Sequence, residues 1–308
     1  MKSALPSISK WAGGLAGIVL AASAGAQVGN VLTPDLEEIA RNGQIVIGVR
    51  EDAMPFAFVD QDGVPKGYSV EICDRIAANL KRVLNRPNLR VRYNTMTVTT
   101  RALLVREKVV DMECGATSIT SERMKEFAFS VGFGVDQALL ISLKTNPAQS
   151  LEDLRAKGQK LVVTYDSSGE IWLRSRKEAG PLVEPVRNST RAYFALVDKS
   201  ATAYLGSGRV FLGEAMRRGG KLEDLYYTEV KGASDFEPIA VMMRLGRPGL
   251  KQVADDTILA MAKANELAPL YSKWFESPVS TRGQNLKVPI GPAWRAMITN
   301  PIDRPIDQ

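Results

Sequence analysis

Histidine is absent from all 308 residues, and cysteine occurs only twice. The first absence excludes Ser-His and Cys-His catalysis, His-containing zinc sites and the usual proton shuttle at neutral pH. No Gly-x-x-x-x-Gly-Lys-Ser/Thr segment occurs either, so ATP hydrolysis is not expected of this chain. Beyond the first residues, no apolar run approaches the roughly 20 residues of a membrane-spanning helix. No basic run interleaved with aromatics points to nucleic acid. Neither a cofactor nor a metal is expected.

The N-terminus carries a different signal. Lys2 and Lys10 precede and begin an apolar, small-residue stretch from Trp11 to Ala22, and Ala24-Gly25-Ala26 follows as a small-x-small cleavage site. The reading is a secretory leader over residues 1–26, with an uncleaved anchor as the alternative. No lipobox cysteine follows the apolar run. The remaining chain is long enough for one large or two medium domains, and the 45% hydrophobic and 24% charged residues of the full sequence are ordinary for a globular protein. Loss of Lys2 and Lys10 lowers the formal charge from +6 to +4, a balance that either steers anions or only aids solubility. An even cysteine count in an exported chain favours a disulfide between Cys73 and Cys114 over two buried thiols.

Thr33-Pro34-Asp35 opens a short helix that Asn42-Gly43 closes. Gln44 to Val49 alternates as a strand, and Ser69 begins a helix with Val70, Ile72, Ile76, Ala77 and Leu80 on one face. Further strands are expected over 89–93 and 109–113, and an apolar run covers 137–142. The alternation repeats with a strand over 160–164, a helix led by Ser167 and Ser168, a strand near 201–205 and a helix over 210–218. A second apolar run at 239–244 precedes a long helix from Pro248. Alternating strands and helices define an α/β chain with largely parallel sheets. The tail after Trp274, rich in Pro and Gly, is expected to wrap the first unit as irregular structure and short turns.

The densest cluster of chemistry is Ser118-Ile-Thr120-Ser-Glu-Arg123, followed by Phe127-Ala-Phe129-Ser130. This Ser/Thr-rich turn, expected to lead into a helix, offers backbone N–H groups, hydroxyls and a guanidinium to one small volume, a donor set that suits a carboxylate. An ordinary capping box on a solvated helix has the same pattern. Upstream stand Gly48-Val-Arg50-Glu-Asp-Ala-Met-Pro55-Phe56, Gly67-Tyr68-Ser69-Val70-Glu71, Arg101 and Glu113-Cys114-Gly115-Ala116-Thr117, and Trp274-Phe275 stands near the end. In this order and spacing the chain resembles the periplasmic solute-binding proteins of polar amino acid ABC importers, nearest to the glutamate/aspartate-binding branch.

The resemblance implies a type II periplasmic-binding-protein fold. Its first lobe would span 27–141 plus 239–308, its second lobe 142–238, with a two-strand hinge and the ligand cleft between. It implies a monomer in the periplasm, serving a membrane permease and capturing a small anionic ligand by hinge closure. Arg123 would grip the ligand α-carboxylate, aided by Ser118, while Arg50 and Arg101 would hold a second carboxylate. Ser167 and Ser168 would donate from the second lobe. Thr190 stands near the place of a histidine used by the acidic branch, and the Ala116 carbonyl could accept from an ammonium.

Each arginine also has an ordinary reading. Arg123 could pair with Glu122 or Glu126, Arg50 with Glu51 or Asp52, and Arg101 could be a solvated helix residue. One departure stands out. Gly208 occupies the position expected of the aspartate that pairs with a ligand ammonium, and Val98 and Ala116 replace hydroxyl residues. The alternatives are therefore a dicarboxylate without the amino group, or a cyclohexadienyl-dehydratase-like enzyme on the same fold. The enzyme would need a general acid, for which only Glu113 and Asp166 stand near. A binding lobe that feeds a sensor would look the same.

Overall fold

In the computed structural model, residues 32–176, 182–233, 235–279 and 285–306 are described. The leader expected over 1–26 lies outside them. The chain enters through the helix Pro34–Asn42, which has Pro at its first position and ends at Gly43, left-handed at φ 63°. The strand Gln44–Arg50 follows and buries Ile45, Ile47 and Val49 completely. It is flanked in parallel by Arg90–Met96 and Met112–Cys114. The helix Tyr68–Val83 turns its apolar face to this sheet. It begins at Gly67, whose φ of 137° suits only glycine, and a Cβ there would lie 2.2 Å from the Phe56 carbonyl oxygen.

The first sheet is completed from far along the sequence. Its order is Arg90–Met96, Gln44–Arg50, Met112–Cys114, Met242–Arg244 and Phe127–Phe129. The last two strands pair antiparallel, so the chain returns to this sheet after building a second one. The second sheet runs Val183–Val186, Leu161–Thr164, Ala203–Ser207, Ala138–Leu143 and Leu225–Thr228. Its neighbouring residues point to opposite faces: Leu140, Val163 and Leu205 enter one apolar cluster, Ile141, Val162 and Tyr204 another. Helices on both faces explain why its strands read as continuous apolar runs.

Between the sheets, Gly134–Asp136 pairs antiparallel with Glu237–Ile239, placing Glu237 opposite Asp136. Two lobes rich in sheet, linked by this strand pair, make a bilobal α/β protein. The second sheet already includes Ala138–Leu143, so its first strand starts ahead of the expected lobe boundary at 142.

Two local expectations are corrected. The turn at Arg123 does not lead into a helix: one 3-10 turn, Arg123–Lys125, gives way to the strand Phe127–Phe129. Phe127 and Phe129 alternate with Ala128, and burial of both rings selects the extended form. The tail is also not irregular throughout. Pro292 opens the helix Pro292–Thr299, whose Trp294 packs among Phe56, Tyr68, Tyr271 and Phe275. A buried indole in an aromatic cluster secures a helix that local sequence scarcely announces.

Cys73 and Cys114 form a disulfide that ties the helix Tyr68–Val83 to the end of the strand Met112–Cys114. Among the described residues no helix is long and apolar enough to cross a membrane.

Candidate ligand-binding site

Where the strands of the first lobe end, the chain delivers a cluster of cations into a narrow pocket that the second lobe closes from the other side. Arg50 ends its strand, Arg101 opens a one-turn helix, and Arg123 opens the 3-10 turn. All three are buried. Ala116, Ser118 and Val98 line the same wall, and Ser167 and Ser168 face them from the second lobe. Seven of the eight residues singled out from the sequence thus line one pocket.

Thr190 does not face the pocket. Its hydroxyl donates to Glu214 Oε2 at 2.8 Å, and Ser189 lines the pocket instead. The helix Ser189–Val197 turns about 100° per residue, so a displacement of one position moves a side chain off the cleft. Gly208 is likewise set back, since a Cβ there would meet Leu139 Cδ1 at 2.7 Å. The pocket-lining residue is its neighbour Ser207, which caps the following helix by accepting from the Val210 N–H at 3.2 Å.

The three arginines are differently committed. Arg50 donates to Asp52 Oδ1 through Nε at 3.0 Å and Nη2 at 2.9 Å, while Asp52 Oδ2 accepts from the Ser189 N–H across the cleft. This is the local ion pair that the sequence also allowed. Burial pulls the Arg50 pKa down, but Asp52, joined by Glu113 and Tyr204, holds the guanidinium above its ordinary value.

Arg101 donates to Thr117 Oγ1 at 2.8 Å and to the Asp166 carbonyl at 2.8 Å, with Asp166 Oδ2 at 3.3 Å. Arg123 donates to the Ser118 carbonyl at 3.0 Å and to the same Asp166 carbonyl at 2.8 Å. Two guanidiniums therefore share one neutral oxygen. Burial, and then the adjacent Arg123 charge, brings the Arg101 pKa down to about 10. Below this wall Glu113 is wholly buried. Burial lifts its carboxyl above the ordinary range, against the Arg101 charge and the Thr117 hydroxyl. Gly115 makes room for this arrangement, because a Cβ there would meet Glu113 Oε1 at 2.2 Å and Arg50 Cγ at 2.7 Å.

Asp136 and Glu237, the facing residues of the hinge strands, also line the pocket. Asp136 is held by the Ser207 hydroxyl and by Arg209 at 3.3 Å, and Arg209 stacks over Trp294 at 4.9 Å. Sequence reasoning missed both acids. They lie far apart in the chain, and only antiparallel pairing brings them together.

Two lobes joined by paired strands, with a buried cluster of hydrogen-bond donors between them, define a hinged small-molecule binding protein. The chain belongs to the bacterial extracellular solute-binding proteins, family 3, which it matches over residues 45–277. It is 31% identical over 297 residues to an L-glutamate/L-aspartate-binding protein of Pseudomonas aeruginosa, covering 94% of this chain and 96% of the relative. The fold is shared with an ABC uptake transporter substrate-binding protein from Streptococcus pneumoniae solved with bound histidine. That match has a TM-score of 0.69 at 18% identity and covers 80% of this chain and 98% of the other. An ancestral amino-acid-binding protein, a precursor of cyclohexadienyl dehydratase, is similar at a TM-score of 0.65 and 21% identity. It covers 78% of this chain and 98% of its own. The protein is thus a solute-binding component of the kind that serves amino-acid ABC importers.

Proposed function

We propose that this protein captures an acidic amino acid, glutamate or aspartate in type, and delivers it as a monomer in the periplasm to an ABC membrane permease. The carrying observation is the Arg101–Arg123 pair, whose buried guanidiniums converge on the Asp166 carbonyl. A ligand carboxylate at each of them would offset the burial and the Arg123 repulsion that together lower the Arg101 pKa. Asp166 belongs to the second lobe, so opening the hinge withdraws its carbonyl and carboxylate and bares both cations to solvent. Arg50 keeps its partner Asp52, which lies in the same lobe. Two arginines in the open cleft are therefore left without a carboxylate partner, one for each carboxylate of an acidic amino acid, whose ammonium needs an acceptor of its own. Ser118, Ser167 and Ser168 add hydroxyls, and the Ala116 carbonyl adds an acceptor. Residues 1–26 act as a cleaved leader in this reading.

A binder is favoured over an enzyme because neither acid candidate is poised as a proton donor. Glu113 is sealed behind the cleft wall, and Asp166 is paired with Arg101. The test is calorimetric titration of the refolded, ligand-stripped mature protein with glutamate, aspartate, succinate and glutarate in parallel. Binding of the two amino acids supports the reading. Binding of the unaminated diacids alone makes the protein a dicarboxylate binder, and four silent titrations remove the anion reading altogether.

Asp166 supplies a second check. Its φ of 59° is left-handed, which asparagine tolerates as well as aspartate. Asp166→Asn therefore keeps the turn while removing a carboxylate that competes for Arg101. Glutamate affinity should rise by about tenfold or more, since a like charge beside the ligand carboxylate opposes binding. An unchanged or weakened affinity would mean that Asp166 does not compete with the ligand.

A further inference from the structure

The aspartate that should pair with a ligand ammonium is missing from the second lobe, where Ser207 and Gly208 stand. Two acids that no local pattern announced, Asp136 and Glu237, nevertheless line the pocket, and Asp52 and Asp166 stand beside its arginines. Their partners separate them. Asp52 is spent on Arg50, Asp166 on Arg101, and Asp136 on Arg209 and Ser207. Glu237 differs. It lines the pocket, yet among the described residues it forms no ion pair.

The surroundings of Glu237 are set by the hinge. Ser118 forms an antiparallel bridge with Ile239, and the Ile119 N–H donates to the Pro238 carbonyl at 2.8 Å. The hinge strand thus runs alongside the segment that leads to Arg123, and Glu237 shares the pocket lining with Ser118 and Ser168, where burial lifts its carboxyl above the ordinary range against those hydroxyls and the Arg123 charge. These two hydroxyls come from opposite lobes. A carboxylate flanked by hydroxyls, close to but not paired with an arginine, offers a negative end beside a positive one. An α-amino acid presents the complementary pair on a single carbon.

We propose that Glu237 is the residue that recognises the ligand α-ammonium, replacing from the hinge the acid that the second lobe lacks. The assignment rests on the amino-acid reading of the cleft and deepens it. With the α-carboxylate on Arg123, an ammonium one carbon away has Glu237 as the acid in the pocket lining that no cation occupies. The Ser118 and Ser168 hydroxyls, which share this lining, can then donate to the ligand carboxylate, since a hydroxyl rotates to suit its acceptor. The same placement makes the amino group a sensor of closure, because Glu237 sits on the strand pair about which the lobes move.

The experiment compares glutamate with glutarate, which has the same carbon skeleton and both carboxylates but no amino group. Both are titrated into the wild-type protein and into Glu237→Gln and Glu237→Asp, with thermal melts to establish that each variant is folded. Glu237→Gln should weaken glutamate by roughly 30-fold or more, as expected when one partner of a buried charge pair is removed. Glutarate affinity should hold or improve, since a negative neighbour has gone. Glu237→Asp, which keeps the charge, should recover part of the lost glutamate affinity. Equal losses for both ligands, or no loss for glutamate, would overturn the assignment while leaving the acidic-ligand reading intact. A wild-type protein that bound glutarate but not glutamate would also overturn it. If the wild type bound neither, the acidic-ligand reading would itself have failed.

Discussion

Arg123→Met should reduce glutamate binding by two to three orders of magnitude or abolish it, with little change in the melting temperature of the unliganded protein. Arg123 is 8% exposed, and its hydrogen-bond acceptors are both main-chain carbonyls, one from each lobe. Methionine fills much of the same space with an apolar chain, so packing is largely kept. What disappears is the charge-assisted, two-pronged contact with a carboxylate. Removing one partner of a buried, hydrogen-bonded charge pair typically costs about 2–5 kcal/mol of binding, or roughly 30- to several-thousand-fold. Calorimetry and a melt on the same preparation separate the two effects. Retained binding would move the carboxylate site away from Arg123. A collapsed melt with lost binding would make the residue structural.

The second large effect concerns stability. The Cys73–Cys114 disulfide closes a loop with a sequence separation of 41. In the chain-entropy account, a loop of this size stabilises the folded state by about 4 kcal/mol. The bond also has a local duty, because Cys114 ends the strand that runs directly into Gly115, Ala116 and Ser118. It therefore anchors the cleft wall to the helix Tyr68–Val83. Replacing both cysteines by alanine should lower the melting temperature by about 10 °C, given a few degrees per kcal/mol for a protein of this size. A melt indifferent to reductant and to the double substitution would contradict this. Ligand affinity should fall less than for Arg123→Met, because the arginines themselves keep their positions.

Much of the site was legible because its residues follow strand ends. Arg50, Ala116 and Ser118 are placed by the strands Gln44–Arg50 and Met112–Cys114, and alternation fixes where those strands stop. The errors are those of rotation and of distance. Thr190 and Gly208 each sit one residue from the side chain that lines the cleft, Ser189 and Ser207. A helix or a strand-to-helix turn converts one position into a different direction. Arg50 could be read as a ligand grip or as a partner of Asp52. Only burial of both side chains in one wall shows that the pair forms. Arg101, which the sequence also allowed to be a solvated helix residue, is 3% exposed.

The hinge acids were beyond sequence reasoning for a different reason. Asp136 and Glu237 occupy separate short strands with no alternation long enough to announce pairing, and the register that sets them opposite each other is a tertiary fact. The helix Pro292–Thr299 was missed similarly, because Trp294 gains its burial from rings on four distant segments. In each case the missing information was which non-local partner covers a side chain, and local propensity does not contain it.

The most direct test of the capture mechanism is a crystal structure of the mature protein grown with L-glutamate. The account predicts one carboxylate of the ligand on Arg123 and Ser118, the other on Arg101 in place of the Asp166 carbonyl, and the ammonium facing Glu237. Glutamate elsewhere on the surface, or a cleft in which Arg101 and Arg123 still share the Asp166 carbonyl at saturating ligand, would contradict it.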